Sequence, residues 1–200
     1  MKAISRAGKI IFASLIFIMA IFIGNENVFA ATKDVLTFTQ LEDAVTSAQK
    51  GDIINVKKDI TVTKTLEVKE DITIKSDDKK TLTAKGLKMD SVEGCNMFYV
   101  SGDKELKLEN ITLDGANKAR LIRANGAKIN LNSVTMKNGT TEHLEQTASN
   151  DQIYSGGAIF AEKASKIVIN GGSFENNNTG TQKLAGSRAA EGGAIKITAL

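Results

Sequence analysis

The sequence predicts an all-β solenoid, a coil of short parallel strands with a helix over its first turn. Three observations carry this. First, an apolar residue is followed eight positions on by another and about five further on by a third. Ile74, Leu82 and Leu87 start the series. Phe98, Leu106 and Ile111 repeat it, then Leu121, Ile129 and Val134; Ile159 and Ile167 follow with Gly172 in the third place, and Ile195 opens a fifth set. Three strands per unit, with units roughly 23 residues apart, suit a solenoid whose repeats share one core. Second, the turn dipeptides Asp114-Gly115, Asn125-Gly126, Asn138-Gly139 and Asn170-Gly171 fall between the apolar positions, and such residues tolerate the left-handed conformation of a sharp corner. Third, the 200 residues contain no proline, which suits a chain that is mostly hydrogen-bonded strand.

The first thirty residues stand apart. Lys2, Arg6 and Lys9 precede an apolar run from Ile10 to Gly24, and Val28-Phe29-Ala30 offers small residues at the −3 and −1 positions of a cleavage site. This is the layout of a secretory signal peptide cut after Ala30, and the run is short for a membrane span of roughly 20 apolar residues. Residues 31–200 are then the folded part. The leader holds three of the 26 basic residues and one of the 23 acids, so the formal charge of +3 falls to 23 basic against 22 acidic residues. With no clustered basic stripe, nucleic acid is not an expected partner.

A capping helix is predicted near 39–50. Thr39 and Glu42 read as a capping box, Leu41, Ala44, Val45 and Ala48 recur at helical spacing, and Gly51 stands where a C′ glycine ends a helix. Such a helix would cover the first coil, whose strands otherwise expose core and unpaired backbone. Next, Ile54 and Val56, Ile60 and Val62, Leu66 and Val68, and Ile72 and Ile74 form apolar pairs every six residues. That beat alone suggests a hexapeptide left-handed coil. It stops after four steps, and the longer unit takes over.

Aligning the longer units predicts three strand columns. Leu82-x-Ala84, Leu106-x-Leu108, Ile129-x-Leu131 and Ile167-x-Ile169 form one. Leu87-x-Met89, Ile111-x-Leu113, Val134-x-Met136 and Gly172-x-Phe174 form the next. Ile74, Phe98-x-Val100, Leu121, Ile159 and Ile195-x-Ile197 form the third. Alternation turns these side chains inward. The steps from Leu121 to Ile159 and from Ile159 to Ile195 are 38 and 36 residues, so two insertions, near 140–155 and 178–191, are expected side by side on one face. The chain ends at Leu200 in the first strand of the fifth unit, and therefore reads as the N-terminal part of a longer protein.

Gly156-Gly157-Ala158-Ile159 is followed by Phe174-Glu175-Asn176-Asn177, and Gly192-Gly193-Ala194-Ile195 opens the next unit. These segments resemble the paired GGA[ILV] and FxxN repeats of the polymorphic outer-membrane protein family. The chain from about 40 onward resembles the right-handed parallel β-helices of the pectin-lyase-like superfamily. The resemblance implies a right-handed coil in a secreted or surface-displayed, commonly adhesive protein. Paired glycines would let the chain re-enter the coil tightly, with Phe174 filling the core and Asn177 bridging turns. Earlier units depart from the motifs, reading Lys118-Ala119-Arg120-Leu121 and Met136-Lys137-Asn138-Gly139 in their place.

Catalytic chemistry is sparse. Asp90 and Asp114 align one unit apart, and stacked carboxylates can hold a calcium ion or share a proton. They are the candidate metal residues, but Lys137 and Glu175 continue the column, which then reads as a charge-paired, solvated face. No other cofactor is expected. Arg120, Arg123 and Arg188 have the charge of lyase-type cations without a calcium cluster beside them. His143, the sole histidine, and Arg188 fall in the insertions. Cys95, the sole cysteine, reads as a small buried residue, and no intrachain disulfide can form. The sequons at Asn110, Asn138 and Asn177 read as turn and strand residues.

Tyr99, Ile122 and Phe160 are expected to form an outward apolar stripe, a candidate binding surface. Together with His143 and Arg188 they are the candidate ligand-binding residues. The functional expectation is a secreted or cell-surface adhesin-like protein that binds a host or cell-surface protein or polysaccharide through its stacked loops. Membrane attachment would come only through the leader or a further C-terminal anchor. The alternative is a polysaccharide lyase or hydrolase with its site in coils beyond residue 200, and a plain structural spacer is a third reading.

Overall fold

A computed structural model describes residues 30–87, 95–141, 155–179 and 192–198. In chain order the elements are β1 (Thr32–Val35), α1 (Phe38–Thr46), β2 (Ile53–Val56), β3 (Ile60–Val62), β4 (Leu66–Val68), β5 (Ile72–Lys75), β6 (Thr81–Ala84), β7 (Asn96–Ser101), β8 (Glu105–Glu109), β9 (Thr112–Asp114), β10 (Arg120–Asn125), β11 (Lys128–Lys137), β12 (Ile159–Glu162), β13 (Lys166–Glu175) and β14 (Ile195–Ile197). The described protein is mostly β, with one helix, parallel sheets and no closed barrel.

Every paired neighbour is parallel, and the strands form three columns. The first runs β1, β2, β5, β8 and the leading halves of β11 and β13. The second runs β3, β6, β9 and the trailing halves of β11 and β13. The third runs β4, β7, β10, β12 and β14. From β2 onward the chain visits the columns in one repeating order. Because β11 and β13 each cross from the first column to the second, those two merge into a nine-stranded sheet beside the five-stranded third. The crossing is a left-handed corner. Asn110, Ser133 and Gly171, which share one register position, have φ of 47°, 56° and 79°, a conformation that asparagine and glycine adopt readily.

The inward positions form one continuous core. Ile54, Ile74, Leu108 and Leu131 occupy successive strands of the first column. Ile60, Leu82, Leu113 and Met136 do so in the second, and Leu66, Phe98, Ile122 and Ile159 in the third; all are buried. At about 1.5–3 kcal/mol for each fully buried large apolar side chain, this shared interior is the main stabilising term. On the last strands the same positions open. Ile169 is 45% and Ile197 56% exposed, whereas Leu131, which pairs with Ile169, is 1% exposed.

The helix packs against β1 to β4 and buries Leu41, Ala44 and Val45, as expected; Ala48 is also buried but lies beyond the helix end. Its ends differ from expectation. The N-cap is Thr37: its Oγ1 accepts the Gln40 N–H at 3.3 Å, and Gln40 Oε1 accepts the Leu36 N–H at 2.8 Å. Thr37 and Thr39 each precede a Gln or Glu by three positions; the earlier threonine is the cap, and Gln40 reaches one residue beyond it, to Leu36, rather than to the cap's own N–H. Glu42 instead pairs with Lys64 at 2.7 Å. The helix ends at Thr46, and Gly51 (φ 90°) serves the turn into β2 rather than the helix terminus.

The registers correct the alignment of the first units. Leu82 pairs with Leu113, not with Leu106, and Ile74 pairs with Leu108, not with Phe98. The eight-residue step from Ile74 to Leu82 joins the first column to the second, while the equal step from Phe98 to Leu106 joins the third to the first. One spacing therefore serves two different corners. Ile122, not Leu121, aligns with Phe98 and Ile159. Alternation fails there because Arg120, Leu121 and Ile122 are all buried, as happens when both faces of a strand are covered.

Candidate functional site

Correct registers reveal a third lengthened connection. Between the second and third columns, Ile60 to Leu66 is 6 positions and Leu113 to Ile122 is 9. The same step takes 16 positions from Leu82 to Phe98, 23 from Met136 to Ile159 and 21 from Phe174 to Ile195. All three long connections therefore occupy one step of the repeat. The expected insertions near 140–155 and 178–191 are two of them; the third joins Leu82 of the second column to Phe98 of the third.

The bases of the last two connections are hydrogen-bonded to each other. On the departing side, Thr140 bridges Asn178 in parallel. Thr140 Oγ1 lies 2.9 Å from Asn178 Oδ1, and Thr141 Oγ1 donates to the Thr179 carbonyl at 3.1 Å. Asn177 ties adjacent turns: its Oδ1 accepts the Gly139 N–H at 2.8 Å, and its Nδ2 donates to the Met136 carbonyl at 2.8 Å. On the returning side, the N–H groups of Gly156, Gly157 and Ala158 donate to the carbonyls of Gly192, Gly193 and Ala194 at 3.0, 2.8 and 2.9 Å. A Cβ on Gly157 would collide with the Asn178 carbonyl oxygen, so only glycine lets the departing and returning segments approach this closely.

Arg120 closes this base from within. It is fully buried. Its Nε donates to the Gly156 carbonyl at 3.1 Å, Nη2 to the Ser155 carbonyl at 3.0 Å and Nη1 to Asn96 Oδ1 at 3.0 Å. Its guanidinium carbon lies 5.1 Å from the centre of the Phe160 ring. Burial pushes its pKa down to about 10, with the Cys95 thiol, Arg123 and Glu162 as lesser influences, so it stays charged near neutral pH. Arg120 N–H also donates to the Cys95 carbonyl at 3.0 Å. One side chain thus joins the return points of the first and second long connections. The expected lyase-type cation at Arg120 is instead fully buried, with its guanidinium spent on backbone carbonyls and Asn96. An arginine inside a stretch of apolar residues was the available signal.

The expected outward apolar stripe does not form. Ile122 is wholly buried in the core, and Phe160 is 1% exposed. The alternate face of the third column reads Glu67, Tyr99, Arg123, Phe160 and Lys196. Tyr99 is half-buried, with the Arg123 guanidinium 5.5 Å from its ring centre. Arg123 in turn donates from Nε and Nη2 to Glu162 Oε1 at 2.9 and 2.6 Å. The one-residue shift in β10 is the cause: it moves Ile122 inward and Arg123 into its place.

Asp114 aligns with Thr83 and Lys137, neither of which is a carboxylate. Asp90, His143 and Arg188 lie outside the described residues. Burial alone would raise the Asp114 carboxyl, but hydrogen bonds from Asn138 Nδ2 (2.9 Å) and the Ala116 N–H (2.9 Å), with the Lys137 ammonium 3.4 Å away, hold it below its ordinary value. Among the described residues no group of three or more His, Cys, Asp or Glu side chains is placed to hold a metal ion.

Of the repeat-motif residues, Gly156 and Gly192 have φ of 66° and 63°. Ala158 and Ile159 are buried, Phe174 and Ile195 pack partly against the core, and Gly193 and Ala194 accept from the preceding repeat. Cys95 is buried, and burial raises its thiol pKa against the opposing pull of Arg120 and Arg123. The sequon asparagines are engaged in turns: Asn110 Nδ2 donates to the Ser76 carbonyl at 2.9 Å, and Asn138 and Asn177 bond as described. Among the described residues no helix is long and apolar enough to cross a membrane. No protein-family model, curated protein or solved structure matches the chain.

Proposed function

We propose that this chain is a right-handed parallel β-helix, exported by its 1–30 leader, that binds a cell-surface protein or polysaccharide through the segments inserted at one step of the coil. The repeating column order supports the coil. Its hand follows from the right-handed preference of crossovers between parallel strands. The observation that carries the binding reading is the coincidence of three lengthened connections at one register, with two bases hydrogen-bonded together. Insertions at one repeat position emerge on one face, and that face is commonly where solenoids bind. A connection needed only to turn the corner requires no more than the 9 positions between Leu113 and Ile122.

Deleting 142–154, 180–191 or both, with a short Gly-Ser joint, tests this. The deleted chains should melt as cooperatively as the parent, because the core and the Thr140–Asn178 bridge lie outside the excised residues. Binding to cells or to immobilised surface glycans should fall at least about tenfold, a loss of about 1.4 kcal/mol. Unchanged binding in the double deletion would sink the proposal.

A further inference from the structure

At the opposite end of the fold lies a buried carboxylate that the binding reading leaves unused. Asp52, at the mouth of β2, is 3% exposed. Its Oδ1 accepts the N–H of Ala31 at 2.9 Å, and its Oδ2 accepts the N–H of Gln49 at 3.1 Å. Lys33 Nζ lies 3.6 Å from Oδ2, and Lys50 and Asp71, whose carbonyl accepts the Gly51 N–H, pair with each other at 3.6 Å. Ala31 is held from its other side as well, since its carbonyl accepts the Ile53 N–H at 2.8 Å. The backbone nitrogen aimed at the buried carboxylate therefore belongs to the residue that would follow the cleavage site.

We propose that processing between Ala30 and Ala31 creates an N-terminal ammonium that pairs with Asp52 and locks β1 onto the sheet, making the processed chain more stable than one whose Ala31 nitrogen is acylated. A leader peptidase hydrolyses the amide. The Ala30 carbonyl carbon loses its bond to Ala31 N and gains the hydroxyl of water, ending as a carboxylate. Ala31 N takes up two protons, one from water and one from the new carboxyl group, and becomes NH3+. The nitrogen need not move. What changes is its charge, and a charge-assisted hydrogen bond is roughly twice as strong as a neutral one.

The inference rests on the leader reading, so two measurements separate them. N-terminal sequencing of the exported chain should find Ala31 first; another first residue overturns the leader assignment. Independently, a chain starting at Ala31, released from a fusion without extra residues, is compared with the same chain acetylated at Ala31, which keeps the N–H donor and removes the charge. At pH 6.5 the free amine should melt about 3 °C or more higher. Asp52→Asn should abolish that difference. The sign is that of a group whose folded pKa is raised: the added stability is present below the ordinary α-amino value near 7.7 and is lost as pH rises through the folded value. Equal melting of the two forms at pH 6.5 overturns the ion pair. If Asp52→Asn does not fold, NMR titration of the Ala31 amine decides: a value above about 7.7 supports the pair, and an ordinary one refutes it.

Discussion

The Arg120 guanidinium donates to the Gly156 carbonyl across 3.1 Å with no part of the side chain exposed. A buried charge persists only where its donors are matched. Here the backbone at Ser155 and Gly156 and the Asn96 amide supply acceptors. Arg120→Met keeps most of the volume and strands these acceptors, so it should cost about 2–4 kcal/mol in urea unfolding. Arg120→Lys keeps the charge but not the planar fork and should fall between. Amide exchange at Gly156 and Gly157 should quicken in both variants; unchanged exchange would mean that Arg120 does not hold the loop base.

Much of this fold is written in residue spacing. The paired apolar positions from Ile54 to Ile74 are all buried, and the first and second columns follow the predicted periods from Leu106 onward. What spacing does not convey is which corner a given step turns. The steps from Ile74 to Leu82 and from Phe98 to Leu106 are equal in length but cross different corners. Nor does spacing decide which of two adjacent apolar residues, Leu121 and Ile122, faces the core when both faces of the strand are covered. Those two ambiguities hid the third long connection and produced the apolar stripe. The Arg120 clasp and the Ala31–Asp52 contact join residues 36 and 21 positions apart through side-chain geometry, which hydrophobic patterning does not encode.

Gly172 stands where the repeat otherwise carries Val134 and Ile111, and its backbone explains the exchange. It has φ of 112°, and a Cβ there would collide with the Val134 carbonyl oxygen. Gly172→Ala should destabilise by about 2–3 kcal/mol. Gly102 is a control: its φ is 67°, with nothing within 4 Å of an added Cβ. Gly102→Asn should cost under about 1 kcal/mol, since asparagine visits this region readily. Equal costs in chemical denaturation would refute the steric account.

Cys95 tests the packing of the first long connection's return. Its thiol is buried and its pKa is raised by that burial, so little thiolate is present to react. A disulfide reagent at pH 8 should modify the native chain only as fast as it opens, and the urea-unfolded chain at once. Rapid modification of the native chain would mean that this corner opens locally without global unfolding.

Asp114 sets a pH dependence whose direction is fixed. Although burial opposes ionisation, Asn138, the Ala116 N–H and Lys137 together hold its carboxyl below the ordinary 3.8. A group whose folded pKa is depressed stabilises the protein above its unfolded value, and that contribution is lost as pH falls through the folded one. Parent and Asp114→Asn should therefore differ at pH 7, by about 1 kcal/mol for the lost charge-assisted bonds. The gap should begin to close below pH 3.8 and vanish once the parent carboxyl is protonated. Asp77, held low by Lys57, Asn55 and Lys75, titrates in the same direction, so Asp77→Asn serves as the comparison for an exposed carboxylate. Its effect should shrink in 1 M salt, where exposed pairs are screened, whereas that of Asp114, whose side chain is 17% exposed, should largely persist. Equal salt sensitivity of the two variants would place Asp114 in the solvated class that its mixed charge column first suggested.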